Sequence, residues 1–245
     1  MFIKQFRYST DNLGYLVFSD TQELAQGVAQ GIAQGIAIDG GNPDEIFDFA
    51  RDRGIDIKYV TNTHYHQDHT CGNTGLLEKN PKARFIDCRR VREGQIIDLA
   101  GEPLEIILTP GHTDNDVCFK ASDFLVTGDT LFNGTVGNCF SGDLDRFFTS
   151  LKTLMAFPME TKIYAGHDYV QESMKMAAGI EENNPDIAAY LEKYDPRLVV
   201  STLEDEMRVN PYLRFNAPGM MTRLKKRKMP LATEEQRFFS IMEIY

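Results

Sequence analysis

The stretch Thr63-His64-Tyr65-His66-Gln67-Asp68-His69 places three imidazoles and one carboxylate within six residues. On an extended segment His64 and His66, two apart, leave the same face. Asp68 and His69 follow at once, where the chain must turn. A short loop cannot wrap four donors around one tetrahedral ion, whereas two cations a few ångströms apart can share them. The stretch therefore reads as half of a dinuclear site whose remaining ligands come from elsewhere in the chain.

A strand at residues 56–62 delivers this stretch at its C-terminal end, the usual place for a site in an α/β architecture. Three later strands end in the same kind of residue. The strand before Thr109-Pro110-Gly111-His112-Thr113 ends at His112, the one at 124–127 at Gly128-Asp129-Thr130, and the one at 162–165 at Gly166-His167-Asp168-Tyr169. The chain has five histidines, and all five fall in these pieces. A lone histidine is more often structural than a ligand, but five of five at strand ends point to a metal centre. Gly-Asp-Thr could be a simple turn or cap; a dinuclear site also needs a bridging carboxylate, which Asp129 can supply. Nitrogen and oxygen donors of this kind suit Zn²⁺ first, with Fe or Mn also able to bind.

Elsewhere the pattern alternates strands and helices. Residues 6–19 read as strands around the turn signal at Asn12-Leu13-Gly14, and Pro43 opens a helix that Gly54 closes. Residues 72–79 and 143–156 read as helices, and 95–108 as two strands around Gly101-Glu102-Pro103. Residues 25–36 repeat Ala-Gln-Gly-Val/Ile three times. Three glycines oppose a helix there, so the repeat reads as an expanded connection between strands. After Tyr169 the alternation stops and helical segments follow. The expected organisation is a catalytic domain at 1–169 and a helical substrate-binding appendage at 170–245.

Length and composition suit one large domain with an appendage. Lys plus Arg is 26 and Asp plus Glu is 36, a net charge of −10, which opposes a nucleic-acid-binding surface. No apolar run is long enough to cross a membrane and no secretory leader is visible. Cys71, Cys88, Cys118 and Cys139 are scattered, as expected of reduced thiols in a cytoplasmic protein.

The pieces His64-Tyr65-His66-Gln67-Asp68-His69, Gly111-His112-Thr113, Gly128-Asp129-Thr130 and Gly166-His167, in this order, resemble the metallo-β-lactamase superfamily signature. Gly128-Asp129-Thr130-Leu131-Phe132, Gly166-His167-Asp168-Tyr169 and Asn210-Pro211-Tyr212-Leu213-Arg214 resemble hydroxyacylglutathione hydrolases (glyoxalase II) more narrowly. The resemblance implies an α/β (α+β) fold, an αβ/βα four-layer sandwich with a C-terminal helical appendage. It implies one metal site from His64, His66 and His112, a second from Asp68, His69 and His167, and Asp129 bridging both. Asp68 and Asp129 are then the catalytic carboxylates. The implied activity is hydrolysis of a small-molecule thioester, such as S-D-lactoylglutathione to glutathione and D-lactate. A thiolate can depart without a general acid, and no histidine remains to protonate an amide nitrogen. Alternatives on the same scaffold are a one-iron sulfur (persulfide) dioxygenase using His64, His112 and Asp129, and a lactone or phosphodiester hydrolase.

The thiol-binding positions of the family map onto Asn138, Phe140 and Tyr169. Here Asn138 stands where the family has a cation, Phe140 replaces a tyrosine, and Glu235 stands near the C-terminus where a cation is expected. The basic run at 223–228, with Arg223 and Lys226, either supplies the missing cations for another anionic thiol carrier or is a solvated helix face.

Overall fold

Side chains alternate across a strand, and in this chain the alternation is apolar on both faces. In β2 (Asn12–Phe18), Leu13, Tyr15 and Val17 enter one core and Leu16 another. In β9 (Phe124–Gly128), Phe124 and Val126 enter the first core and Leu125 a third. Strands buried on both faces require a layer on each side. The computed structural model, which describes residues 1–19, 32–181 and 184–245, has that arrangement.

One sheet has the order β1-β2-β3-β4-β5, with β1 (Phe2–Tyr8), β3 (Ala33–Ile38), β4 (Ile55–Thr61) and β5 (Arg84–Ile86) around β2. The first three strands pair antiparallel, and β3, β4 and β5 run parallel. The other sheet has the order β11-β10-β9-β8-β7-β6, comprising β6 (Ile96–Leu99), β7 (Glu102–Leu108), β8 (Val117–Ala121), β9, β10 (Lys162–Ala165) and β11 (Ser201–Thr202). Because β7 and β9 both pair antiparallel with β8, and β10 runs parallel to β9, these three strands end on one edge.

The central core joins the inner faces, with Tyr15, Ile36 and Ile38 from one sheet meeting Leu104, Ile106, Phe119 and Val126 from the other. Outside the first sheet lie α1 (Pro43–Asp52) and α3 (Asn73–Lys79), which bury Ile46, Ala50 and Leu76. Outside the second lie α4 (Leu144–Met155), α8 (Pro218–Lys226) and α9 (Glu234–Ile244), through Phe147, Leu151, Leu224, Phe238 and Ile241. The result is the expected αβ/βα sandwich. Local chemistry agrees with it: Asn42 caps α1, Pro43 opens it, and Gly54 follows it at φ +65°.

Two details depart from the sequence reading. The third repeat unit, Ala33-Gln34-Gly35-Ile36, is the start of β3 rather than a connection. Its glycine lies in a tight place, since a Cβ at Gly35 would meet Ile55 Cγ2 at 3.0 Å and Leu16 Cδ1 at 3.2 Å and these side chains would have to give by a few tenths of an ångström. The rest of the repeat, up to residue 31, lies outside the described residues. The turn after His66 contains a helix, α2 (Gln67–Thr70), too short to leave a periodic pattern.

Residues 170–245 begin with α5 (Val170–Ile180) and α6 (Asp186–Lys193), add β11 to the second sheet, and continue with α7 (Leu203–Val209). Glu206 on α7 is fully buried. It accepts from Gly134 N–H at 2.8 Å, Ser201 Oγ–H at 2.6 Å, Tyr190 O–H at 2.7 Å and Asn210 Nδ2–H at 3.0 Å. Asn210 also donates to Thr135 O, which gives the Asn210-Pro211-Tyr212 motif its physical role. Among the described residues no helix is long and apolar enough to cross a membrane.

Glu206→Ala strands these donors in the interior, so chemical denaturation is expected to report a loss of about 3–5 kcal/mol. Glu206→Gln, which keeps the shape and an acceptor, should lose clearly less; equal losses would contradict the network.

Candidate metal centre

The four strand ends converge where the two sheets meet. Backbone bonds lock them together: Val117 N–H donates to Thr63 O, Leu13 N–H to Gly166 O, and Gly166 N–H to Gly128 O. Close approach requires glycine at two of these points. Gly128 has φ +50°, and a Cβ there would lie 2.3 Å from Thr63 Oγ1. A Cβ at Gly166 would lie 2.1 Å from Asp129 Oδ1.

All seven sequence-predicted ligands come together, in two sets. His64, His66, His112 and Asp129 form one, and Asp68, His69 and His167 the other, with the ligand atoms of each set within 4.8 Å of one another. Asp129 reaches both sets. Its Oδ2 is 3.8 Å from His64 Nε2, 3.6 Å from His112 Nε2 and 3.5 Å from His167 Nε2, and its Oδ1 is 3.4 Å from His69 Nε2. Asp68 Oδ2 is 3.3 Å from His167 Nε2 and accepts from Asn12 Nδ2–H at 2.9 Å.

The outward nitrogens of four imidazoles are committed. His64 Nδ1 faces Thr63 Oγ1 at 3.1 Å, His69 Nδ1 faces Asp39 Oδ2 at 3.0 Å, His112 Nδ1 faces Asn138 O at 2.8 Å, and His167 Nδ1 faces Asp11 Oδ1 at 3.1 Å. A nitrogen that donates outward leaves a lone pair on the inward one. His66 Nδ1 then lies 2.8 Å from His64 Nε2 and 3.0 Å from His112 Nε2, and His69 Nε2 lies 3.2 Å from His167 Nε2. Converging lone pairs repel unless a proton or a metal cation sits between them. Asp129 Oδ1 adds a buried carboxylate oxygen with no hydrogen-bond partner among the described residues. The donor set thus fits divalent metal ions in both places.

Charges agree. Burial, aided by His69, pushes His64 down to about 3, and burial also lowers His112, so both are neutral and ready to ligate. Burial opposes a charge on His69 and His167, but Asp39 and Asp129 hold His69 well above its ordinary range, and Asp129 and Asp11 raise His167. Burial likewise opposes a charge on Asp129, yet His69 and His167 hold its carboxyl well below the usual range.

Asp39 and Asp11, which face the outward nitrogens of His69 and His167, are the site neighbours that sequence reasoning missed. Asp39 is fully buried at the end of β3 and accepts from both Thr63 N–H and Thr63 Oγ–H. Its signal in the sequence is a carboxylate at a strand end before Gly40-Gly41.

The expected substrate residues divide. The Tyr169 ring stacks on His167 at 5.0 Å and 4°, and Phe132 meets Tyr169 edge-on at 5.1 Å. Phe140 packs against His66 and His112 at 5.8 and 5.2 Å. Asn138 reaches the centre through its backbone carbonyl. Arg223 donates to Gly179 O and the Tyr245 hydroxyl, and with Lys226 it lines a cavity of about 610 Å³ whose lining includes none of the candidate ligands.

Residues 35–87 match the metallo-β-lactamase superfamily profile, and residues 168–242 match the hydroxyacylglutathione hydrolase C-terminus. A protein of Maricaulis maris named hydroxyacylglutathione hydrolase is 30% identical over 243 residues, covering 91% of each chain. The chain belongs to the hydroxyacylglutathione hydrolase family. A second member, from Pseudoalteromonas translucida, is 29% identical over 204 residues, covering 77% of this chain and 79% of that one. Among solved structures, ETHE1 from Myxococcus xanthus superposes with TM-score 0.69 at 21% identity over 100% of this chain and 91% of that one. The BLEG-1 B3 metallo-β-lactamase gives 0.62 at 15% identity over 86% and 99%. Both have the metallo-β-lactamase fold that this family shares.

Asp116 supports the His112 turn, accepting from Thr113 N–H at 2.6 Å and from the Thr113 hydroxyl. Burial pushes its carboxyl from 3.8 up to about 7. An acid raised by folding binds its proton more tightly in the native state. Its contribution is fully present below about pH 4 and is lost as pH rises to about 7. Asp116→Asn is expected to flatten the stability–pH slope of metal-free protein across that window; an unchanged slope in a denaturant series would refute the assignment.

Proposed function

We propose that the chain is a dinuclear-metal thioester hydrolase, with Zn²⁺ in both positions. The observation that carries this reading is the placement of Asp129 between two complete His/Asp sets in a member of the hydroxyacylglutathione hydrolase family. His64, His66 and His112 would hold one cation, Asp68, His69 and His167 the other, and Asp129 both. Two such cations, when bound, lower the pKa of a shared water towards neutrality and polarise a carbonyl oxygen.

The remaining steps belong to the chain. Asp68 is half-exposed and oriented by Asn12, so its carboxylate can orient the attacking water as well as serve as a ligand. Asp39, Asp11, Thr63 and the Asn138 carbonyl keep the imidazoles in the ligating tautomer. Attack on the carbonyl carbon breaks the C–S bond, and the thiolate leaves with the electron pair. With an ordinary thiol pKa near ~8.5, it needs no general acid. Tyr169 and Phe140 offer ring faces and edges to the substrate beside the two sets. Residues 170–245, which carry the family's C-terminal profile, form the substrate-binding appendage on residues 1–169.

The substrate of first choice is S-D-lactoylglutathione, since the relatives carry the name hydroxyacylglutathione hydrolase. The one-iron alternative would use His64, His112 and Asp129 and leave the Asp39–His69 and Asp11–His167 pairs without a purpose.

Zinc-loaded protein is expected to hydrolyse lactoylglutathione and to lose that activity on chelation. Asp129→Ala should bind less than two equivalents of zinc and lose at least about a hundredfold in kcat, the scale on which electrostatic groups at a reacting centre act. Full activity in metal-depleted Asp129→Ala, or one tightly held iron per chain with thiol-dependent oxygen uptake, would overturn the reading.

A further inference from the structure

Asp168 directly follows the candidate ligand His167 and is held by residues from distant parts of the chain. Its backbone N–H donates to Asp11 O at 2.9 Å, and the Asp11 carboxylate faces His167 Nδ1 at 3.1 Å. Its side chain is 7% exposed and accepts through a single oxygen, Oδ2, from Arg7 on β1 and from the Tyr194 hydroxyl at 2.7 Å. Tyr194 is the C-terminal cap of α6, and Arg7 also donates to Pro196 O at 2.9 Å, two residues further on. The other oxygen, Asp168 Oδ1, is buried with no hydrogen-bond partner among the described residues. A buried carboxylate satisfied on one oxygen alone is costly. Here it stands where β1 and the end of α6 meet beside a ligand.

The grip on Asp168 bears on one of the two sets. In the first, His64 faces Thr63 and His112 faces the Asn138 carbonyl, and neither partner bonds Arg7, Asp168 or Tyr194 among the described residues. In the second, the Asp68 side chain is 46% exposed, so firm placement falls to His69 and His167. Asp39 orients His69. His167 is oriented by Asp11, and that pairing holds its register only while the Asp168 peptide stays against Asp11 O. Arg7 and Tyr194 keep it there.

We propose that Arg7, Asp168 and Tyr194 are positioning residues for the second metal position, and that the 170–245 region, through Tyr194, sets how tightly Asp68, His69 and His167 hold their cation. The inference rests on the two-metal reading above and adds which residues beyond the ligands tune one site apart from the other.

The test reads zinc rather than turnover. Zinc-loaded wild type and variants are competed against a chromophoric chelator of graded concentration. Wild type should hold two equivalents. Tyr194→Phe removes one hydroxyl and keeps the ring, and it should weaken one equivalent about threefold to tenfold, the contribution of one hydrogen bond. Asp168→Ala should weaken the same equivalent at least about tenfold, the scale on which partners behind a ligand act. The other equivalent should keep its wild-type affinity in both. In a His69→Ala background, which already lacks a ligand of the second set, Tyr194→Phe should remove no further zinc affinity. Wild-type affinities in both variants, an equal fall in both equivalents, or a further loss in the His69→Ala background overturns the positioning role and leaves the two-metal reading standing. A wild type that holds fewer than two equivalents overturns both.

Discussion

Asp39 is a fully buried carboxylate that accepts two hydrogen bonds from Thr63 and faces His69. A charge in that position is costly unless it is paired, and its partners all come from the loop after β4. It thereby fixes the whole stretch from Thr63 to His69 relative to β3. Thr63, which spends its hydroxyl proton on Asp39, is free to accept from His64. One carboxylate thus sets the tautomers of two ligands, one in each set, and the bonds from Val117 and Gly166 carry that register into the second sheet.

Electrostatics divides the centre by residue. His64 and His112 are held neutral by burial, whereas His69 and His167 are held towards the protonated state by the carboxylates around them. Asp129, depressed by the imidazoles on both sides, stays ionised between the sets. Among the described residues Asp129 Oδ1 has no hydrogen-bond partner, which suits a site that holds cations.

Much of this was legible in the sequence because the informative residues are rare and dense. Five histidines at strand ends marked the candidate ligands and, with the alternation of elements, the sandwich. What escaped notice was carried by common residues. Asp39 and Asp11 are two of 36 acidic residues, and only the fold shows which of them face an imidazole. Helix α2 spans a single turn and leaves no periodic trace. The third repeat unit looked too rich in glycine for a strand, yet Gly35 lies in β3 between Leu16 and Ile55, where a Cβ would be tight. Asn138 was read for its side chain and contributes its carbonyl. Arg223 and Lys226 form a basic run whose lateral position on α8 no spacing rule could supply.

The pairing of β11 with β10 has a consequence for biosynthesis. Every candidate ligand has left the ribosome once residue 167 has emerged. At that stage β10, which aims His167, has β9 on one side only, and Glu206 has yet to reach Gly134. The centre is therefore complete in composition well before it is rigid. Emergence of the last candidate ligand and closure of the second sheet are therefore separated by the synthesis of about forty residues.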